Sequence, residues 1–399
     1  MYILNRIYQL IMKLLSYLMP WREPKVLEKL DHLSAEINKL HVKHVMVITD
    51  NGVEKAGLLD LLLDELKNNN GVFPHVFDCV LSDPTIDQVE EGYQFYLSNK
   101  CDSLIVIGGG SSIDFAKGVG IRVARPKKPL IKMKGILKVG RKLPPLIAIP
   151  TTAGTGSEVT LACVLIDKKT SLKFAISDFP VIPIIAVLDP RLTSKLPPYL
   201  TAITGMDALT HAIEAYMNCY HTRKTKKRAL ESIAKVFKYL SKAYEKPADL
   251  EARTMMLKAS YDAGYAFTRD YVGNIHAIAH TLGGFYHVPH GYANAIIMPY
   301  VLKAYGRRAY GKLAKIHDYV GFSKRDKTKK EKAKSLIKHI ETLNRRLSIP
   351  DHIVIDHDYY LKQMIINARK EAFWNYPVPQ IFTYDQMKKI FMDVIRIKK

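Results

Sequence analysis

The stretch DSLIVIGGGSSIDFAKGVG, residues 102–120, decides the fold. A short run of Leu, Ile and Val reads as a buried strand. Gly108, Gly109 and Gly110 read as a tight turn, and the residues from Ser111 onward as a helix. Glycines let the backbone approach a ligand closely, and the free amides at the start of a helix favour phosphate oxygens. The turn lacks the GxGxxG spacing of the usual dinucleotide fold, so by itself it is also consistent with a plain tight turn.

The same order of elements extends on both sides. HVMVITD (44–50) is a second Val/Ile-rich strand, followed by the helical pattern KAGLLDLLLDELKNNNG (55–71). VFPHVFD (72–78) is a further strand and DPTIDQVEEGYQFYLSNKC (83–101) a helix. PPLIAIPTT (144–152) and IPIIAVLDP (182–190) continue the series. Strands alternating with helices at this spacing predict a parallel sheet with crossover helices. After Leu192 long helical periodicity takes over. The expected fold class is an α/β N-terminal nucleotide-binding domain plus an all-helical C-terminal domain. The expected segments are an amphipathic helix at 1–22, the α/β domain at 23–192 and the helical domain at 193–399.

Two more features of the first domain suit a dinucleotide. Asp50, at the carboxyl end of an early strand, is placed to accept from ribose hydroxyls and to repel a 2′-phosphate; a turn or helix cap is the plain alternative. The loop 150–158, which carries Thr151, Thr152 and Thr155, offers hydroxyls and amides to a pyrophosphate or a nicotinamide. Its plain alternative is a capping loop.

The second domain carries a different chemistry. Asp207 and His211 stand four apart in GMDALTHAIEAY (205–216), with Thr204 or Gly205 expected to cap that helix. His276 and His280 stand four apart in GNIHAIAHTLGGFYHVPHG (273–291), with His290 in a Pro-His-Gly turn beyond them. None of the 14 histidines lies between His75 and His211, whereas four fall between His276 and His290. One carboxylate and three imidazoles, Asp207, His211, His276 and His290, form a donor set for Fe²⁺, Zn²⁺, Mn²⁺ or another divalent ion. His287 reads as a structural neighbour. Phe267, Tyr271 and Tyr286 hint at a partly apolar pocket.

Composition limits the alternatives. The four cysteines are widely spaced with no CxxC pair, which fits a reducing compartment and argues against a disulfide framework. The formal net charge of +22 favours anionic partners. The basic runs at 223–228 and 324–332 sit in helix-like sequence without a nucleic-acid signature, so no nucleic acid is expected. In residues 1–20, Asn5, Arg6, Gln9, Lys13 and Ser16 form the polar stripe of an amphipathic helix. Charges within it argue against a membrane span, and no cleavage site follows for a secretory signal. Either it lies on a membrane surface as a peripheral contact, or it docks on this chain or a second subunit.

GGGSSIDFAKG (108–118), IPTTAGTGSEVT (149–160), GMDALTHAIEAY and HAIAHTLGGFYHVPHGYANAIIMP (276–299) together resemble the iron-containing (group III) alcohol dehydrogenase family, which includes butanol dehydrogenase- and lactaldehyde reductase-like enzymes. The resemblance implies the family's dehydroquinate synthase-like two-domain fold, a cytoplasmic location and a homodimer or higher oligomer. It implies Asp207, His211, His276 and His290 as ligands of Fe²⁺, with Zn²⁺ or Mn²⁺ as substitutes, and His280 as the additional active-site histidine. One helical turn from a ligand, His280 is the candidate proton relay, with a fifth or alternative ligand as the plain alternative. The resemblance also implies Asp50, Gly109, Gly110, Ser111, Thr151, Thr152, Thr155 and Lys173 as contacts of NAD, with NADP less favoured by Asp50. The activity implied is hydride exchange between a small primary alcohol or aldehyde and the nicotinamide. The alternatives are a glycerol dehydrogenase- or dehydroquinate-synthase-like enzyme, or a non-catalytic membrane- or nucleic-acid-associated relative. Asp83-Pro84-Thr85 departs from the family's Asn-Pro-Thr, which puts one contact on the cofactor's adenine or ribose side in doubt.

Overall fold

The computed structural model describes residues 2–16, 18–69, 71–169, 172–322 and 328–398. The opening of the second basic run, residues 324–327, lies outside them. The chain forms two compact units. One comprises residues 20–196 and 247–257, the other residues 1–19, 197–246 and 258–399.

The first unit holds a six-stranded sheet. Its strands stand in the order Lys25–Leu27, Ile185–Val187, Leu146–Pro150, Ser103–Gly108, His44–Ile48, Phe73–Phe77. All its pairings are parallel. The central strands read as unbroken apolar runs because both faces are covered. Met46, Ile48, Leu104, Val106, Leu146 and Ala148 face one core with Phe115 and Val119. Their neighbours Val45, Val47, Ile105, Ile107, Ile147 and Ile149 face the other with Leu62 and Leu66.

The strand order reverses between His44–Ile48 and Ser103–Gly108. From His44 the chain moves outward to Phe73, then returns to place Ser103 on the other side of His44. The carboxyl ends of strands flanking such a switch are where open parallel sheets bind ligands. Asp50 follows one of those two strands and the Gly108–Gly110 turn ends the other.

The five strands expected from the sequence are present. The helical pattern at 55–71 is divided into Asn51–Lys55 and Leu58–Lys67, with Gly57 between them at φ +69. That left-handed conformation favours glycine and breaks the helix. Short strands went unread. They are the edge strand Lys25–Leu27, a three-stranded sheet of Gly135–Ile136, Leu172–Ser177 and Ala162–Asp167, and the parallel pair Ile353–Ile355 and Ile395–Ile397. The last pair belongs to the second unit, which is otherwise helical.

In the second unit, helix Pro198–Met217 is buried along nearly all its length past Leu200. Its start corrects one expectation. The helix opens at Pro198, so Thr204 and Gly205 lie in its interior and cap nothing. Thr204 Oγ1 donates back to the Leu200 carbonyl at 2.7 Å, and Gly205 leaves space for Leu240. His290 is likewise the first residue of helix His290–Tyr305 rather than part of a free turn. Gly291 packs directly on the Ile203 carbonyl. A side chain there would drive this helix off the one carrying Asp207.

A buried cation ties the glycine helix to the loop that follows the threonines. Lys117 in helix Gly110–Ala124 has no exposed surface. Its ammonium donates to Ser157 O (2.7 Å), Ser157 Oγ (3.0 Å), Thr160 O (3.0 Å), Thr160 Oγ1 (3.0 Å) and Ala162 O (2.8 Å). Asp114, one turn earlier, accepts from Ser157 Oγ at 2.7 Å and Val164 N at 3.1 Å. Burial lowers the Lys117 pKa and raises that of Asp114, each shift opposed by the other's charge. A Lys117→Met substitution keeps the length and removes the donors. It leaves these acceptors without the ammonium and Asp114 without its opposing charge, at an expected cost of about 3–5 kcal/mol in urea unfolding.

Candidate functional site

In the first unit the loops picked out by the sequence meet at the switch point. The glycine turn packs on the threonine loop: a Cβ at Gly110 would sit 2.7 Å from Thr155 Oγ1, and one at Gly109 would sit 3.5 Å from Thr152 Cγ2. Only glycine fits at position 110, so the helix start and the threonine hydroxyls share one surface. Thr151 N donates to the Gly108 carbonyl at 3.0 Å, which locks the loop to the turn. Among the described residues no side chain caps the start of Gly110–Ala124, a 15-residue helix with Gly109 at its N-cap. First-turn amides there have no side-chain acceptor among those residues.

Asp50 lies on the same side. Its Oδ1 accepts from Gly52 N (3.0 Å) and Val53 N (3.1 Å), and its Oδ2 accepts from Ser112 Oγ (2.9 Å). It is therefore a helix cap, as its plain alternative held, and it is also fixed against the glycine helix. Ser111 Oγ donates to the Ser82 carbonyl. Lys173 pairs with Asp83, Nζ to Oδ1 2.9 Å. The residue that departs from the family's asparagine thus holds the ammonium expected to meet the cofactor.

In the second unit Asp207, His211, His276 and His290 each offer one donor atom, all within 4.8 Å of one another. His290 Nε2 stands 3.6 Å and His276 Nε2 3.9 Å from Asp207 Oδ1, and His211 Nδ1 3.6 Å from Asp207 Oδ2. These separations are too long for hydrogen bonds. They suit donors that could gather about one shared cation. The donor chemistry, one hard oxygen with three imidazoles, fits a divalent transition ion. Three of the side chains are 2–7% exposed, while His290 is 35% exposed and neighbouring His280 38%. Among the described residues the set is more open to solvent on the His280/His290 side. Phe267 stacks on His211 with ring centroids 4.1 Å apart and makes one wall apolar.

Surrounding groups orient the donors. Glu214 shares a helix face with Asp207 and His211 at i, i+4 and i+7. Its carboxylate accepts from Gly273 N (2.8 Å), Ile275 N (2.7 Å) and His276 Nδ1 (2.6 Å). Burial pushes the Glu214 pKa up to about 7, against the pull of those backbone donors. Burial, followed by the other imidazoles, holds His276 well below its ordinary pKa, in the neutral form that ligates. Asn294 Nδ2 donates to Asp207 Oδ1 at 2.7 Å and stands 3.1 Å from both His276 Nε2 and His290 Nε2. His280 lies beside the set, its ring 5.3 Å from that of His290, and its Nδ1 is 2.7 Å from Glu371 Oε1. Tyr376 OH donates to the same oxygen at 2.6 Å.

The sequence reading missed Glu214, Asn294 and Glu371. The i+7 position after Asp207 would have found Glu214, and the i+4 position after His290 would have found Asn294. Glu371 lies 91 residues beyond His280 and leaves no local signal. Of the proposed pocket aromatics, Phe267 flanks the donors. Tyr286 donates to the His357 carbonyl at 2.7 Å, and Tyr271 lies near Tyr8 of the N-terminal helix. His287 caps the end of helix Asn274–Tyr286 in a left-handed conformation.

Comparison with known proteins agrees in both units. Residues 26–190 match the family described as iron-containing alcohol dehydrogenase. Residues 201–394 match the C-terminal domain of the Fe-containing alcohol dehydrogenase family. The chain is 36% identical to alcohol dehydrogenase 4 of Schizosaccharomyces pombe, over 88% of this chain and 82% of that one. It is 35% identical to the NADPH-dependent butanol dehydrogenase of Clostridium saccharobutylicum, over 89% and 92%. Among solved structures, a 1,3-propanediol oxidoreductase aligns with a TM-score of 0.89 at 32% identity, covering 94% of this chain and 99% of that one. The chain belongs to the iron-containing alcohol dehydrogenase family and is an oxidoreductase of alcohols and aldehydes.

Proposed function

We propose that this oxidoreductase, whose family implies a metal and a nicotinamide cofactor, holds one Fe²⁺ on Asp207, His211, His276 and His290, and NAD(H) on the loops of the first unit. Zn²⁺ and Mn²⁺ accept the same donors. The proposed substrate is a small primary alcohol or its aldehyde, and the proposed assembly a homodimer or higher homo-oligomer. Four free thiols suit a reducing cytoplasm. The observation that carries the reading is the convergence of four donor atoms within 4.8 Å.

When bound, the ion supplies Lewis-acid polarisation of the alcohol or carbonyl oxygen. The chain supplies the rest. Glu214 fixes the His276 ring so that Nε2 faces Asp207. Phe267 screens the set from water on the His211 side. His280, 38% exposed, has Nδ1 on Glu371 and so turns its other nitrogen away from that carboxylate. We assign it the proton that leaves the alcohol, with Glu371 and Tyr376 holding the ring for the exchange with solvent.

On the cofactor side, Gly109, Gly110 and Ser111 at the helix start suit the pyrophosphate, with Thr151, Thr152 and Thr155 beside them and Lys173 beyond. Asp50 favours NAD by repelling a 2′-phosphate. The Clostridium saccharobutylicum relative is named for NADPH, so family membership alone leaves the preference open.

Three measurements follow. NADH oxidation over a panel of short aldehydes, with protein stripped and reloaded with Fe²⁺, should give turnover that is lost in His276→Ala together with the bound metal; equal turnover in that variant would overturn the assignment. Glu214→Gln should weaken metal binding about 10–100-fold in chelator competition while the ligands remain intact. Asp50→Asn keeps a helix cap and removes the charge, so the NADPH/NADH ratio of kcat/KM should rise about tenfold.

A further inference from the structure

Helix Tyr2–Ser16 is seated with its polar side inward. Asn5, Gln9 and Lys13, four apart, are 2–7% exposed. Asn5 Nδ2 donates to Phe373 O at 2.7 Å and Gln9 Nε2 to Tyr376 O at 3.0 Å. Arg6 donates to Val378 O at 2.7 Å, and Lys13 pairs with Asp270 at 2.7 Å, nearly out of water. A helix on a globular surface ordinarily buries its apolar stripe. Here Ile7, Tyr8, Leu10, Ile11 and Leu14 are instead 43–58% exposed, and Leu18 beyond them is 84% exposed.

The apolar surface continues on the neighbouring element. Phe373, whose carbonyl receives Asn5, is followed by Trp374 at 52% exposure. Lys370 and Ile366 precede Trp374 by four and eight residues on helix Leu361–Asn375, so all three share a face, and each is exposed. Arg223 and Lys224, also exposed, open the basic run just after Tyr220, whose hydroxyl lies 3.4 Å from the Arg6 carbonyl. No acidic residue occurs among residues 1–22, and the whole chain carries a formal charge of +22.

We propose that this face seats the protein on an anionic lipid bilayer. Ile7, Tyr8, Leu10, Ile11, Leu14 and Trp374 would enter the headgroup boundary, while Lys370, Arg223 and Lys224 meet anionic headgroups. An amphipathic stripe with cations beside it is the surface that such membranes retain. No described helix is long and apolar enough to cross a membrane, which fits surface seating. Charge selects lipid over a second copy of the chain, because two copies meeting here would oppose like charges. The docked polar stripe keeps the helix ordered before contact, so its folding does not have to accompany insertion.

The test is flotation of the full chain with vesicles of phosphatidylcholine, alone or mixed with phosphatidylserine, at low and high NaCl. Binding is expected on the mixed vesicles, about tenfold weaker on the neutral ones, and weakened by salt. The double variant Ile11→Glu/Leu14→Glu should lose binding about tenfold or more while keeping its thermal midpoint. Should that variant fail to fold, Trp21→Phe leaves Trp374 as the one tryptophan, and its emission should shift to the blue on mixed vesicles alone. Absence of binding, equal binding to neutral vesicles, or an unaffected double variant overturns the proposal. So does a fall in the double variant's sedimenting mass without vesicle binding, which would make the face a contact between copies. These readouts need no turnover, so their failure leaves the dehydrogenase reading standing.

Discussion

Glu214 is the contact on which the helical unit's chemistry turns. One buried carboxylate accepts from the backbone at Gly273 and Ile275 and from the ring of His276. It thereby fixes where helix Asn274–Tyr286 begins and which way its first histidine points. Because Glu214 sits on the helix that carries Asp207 and His211, the distance between two donor-bearing helices is set by one side chain. Gly291 completes the arrangement from the other direction, since its missing side chain lets the helix of His290 rest on the Ile203 carbonyl. Burying a carboxylate among donors costs desolvation, and the rise of its pKa to about 7 records that cost.

The first unit solves a different problem by similar means. The proposed pyrophosphate site would need amides and hydroxyls with no side chain in the way. Strand Ser103–Gly108 ends in the glycine turn at the reversal of strand order, and its neighbour Leu146–Pro150 ends in the threonine loop beside it. Lys117 then stitches helix Gly110–Ala124 to the loop at 157–162.

Much of this was legible in the chain. Buried parallel strands are continuous apolar runs, and the runs at 44–50, 102–108, 144–152 and 182–190 could be read directly. Asp207 and His211 were legible because helical spacing puts i and i+4 on one face, and His276 and His290 because four histidines crowd into residues 276–290. What escaped has physical reasons. Three-residue strands such as Lys25–Leu27 carry too little pattern to register. The entry of helix Pro198–Met217 was misplaced because Thr204 has the chemistry of a cap, although its hydroxyl is used within the helix. Glu371 is brought to His280 by tertiary packing alone. The N-terminal helix was recognised as two-faced, yet periodicity cannot say which face turns inward. Only the carbonyls at the end of helix Leu361–Asn375 and the buried Asp270 decide that.

The pairing of Lys173 with Asp83 has a consequence for whatever anion reaches that edge. Both groups are roughly half exposed, at 44% and 55%, so water has largely screened their attraction. An ion pair of that kind is held by about 0–1 kcal/mol. The carboxylate therefore acts as a weak latch that parks the ammonium in a defined place. A doubly charged oxyanion can release it at small expense, whereas a neutral ligand leaves it shut.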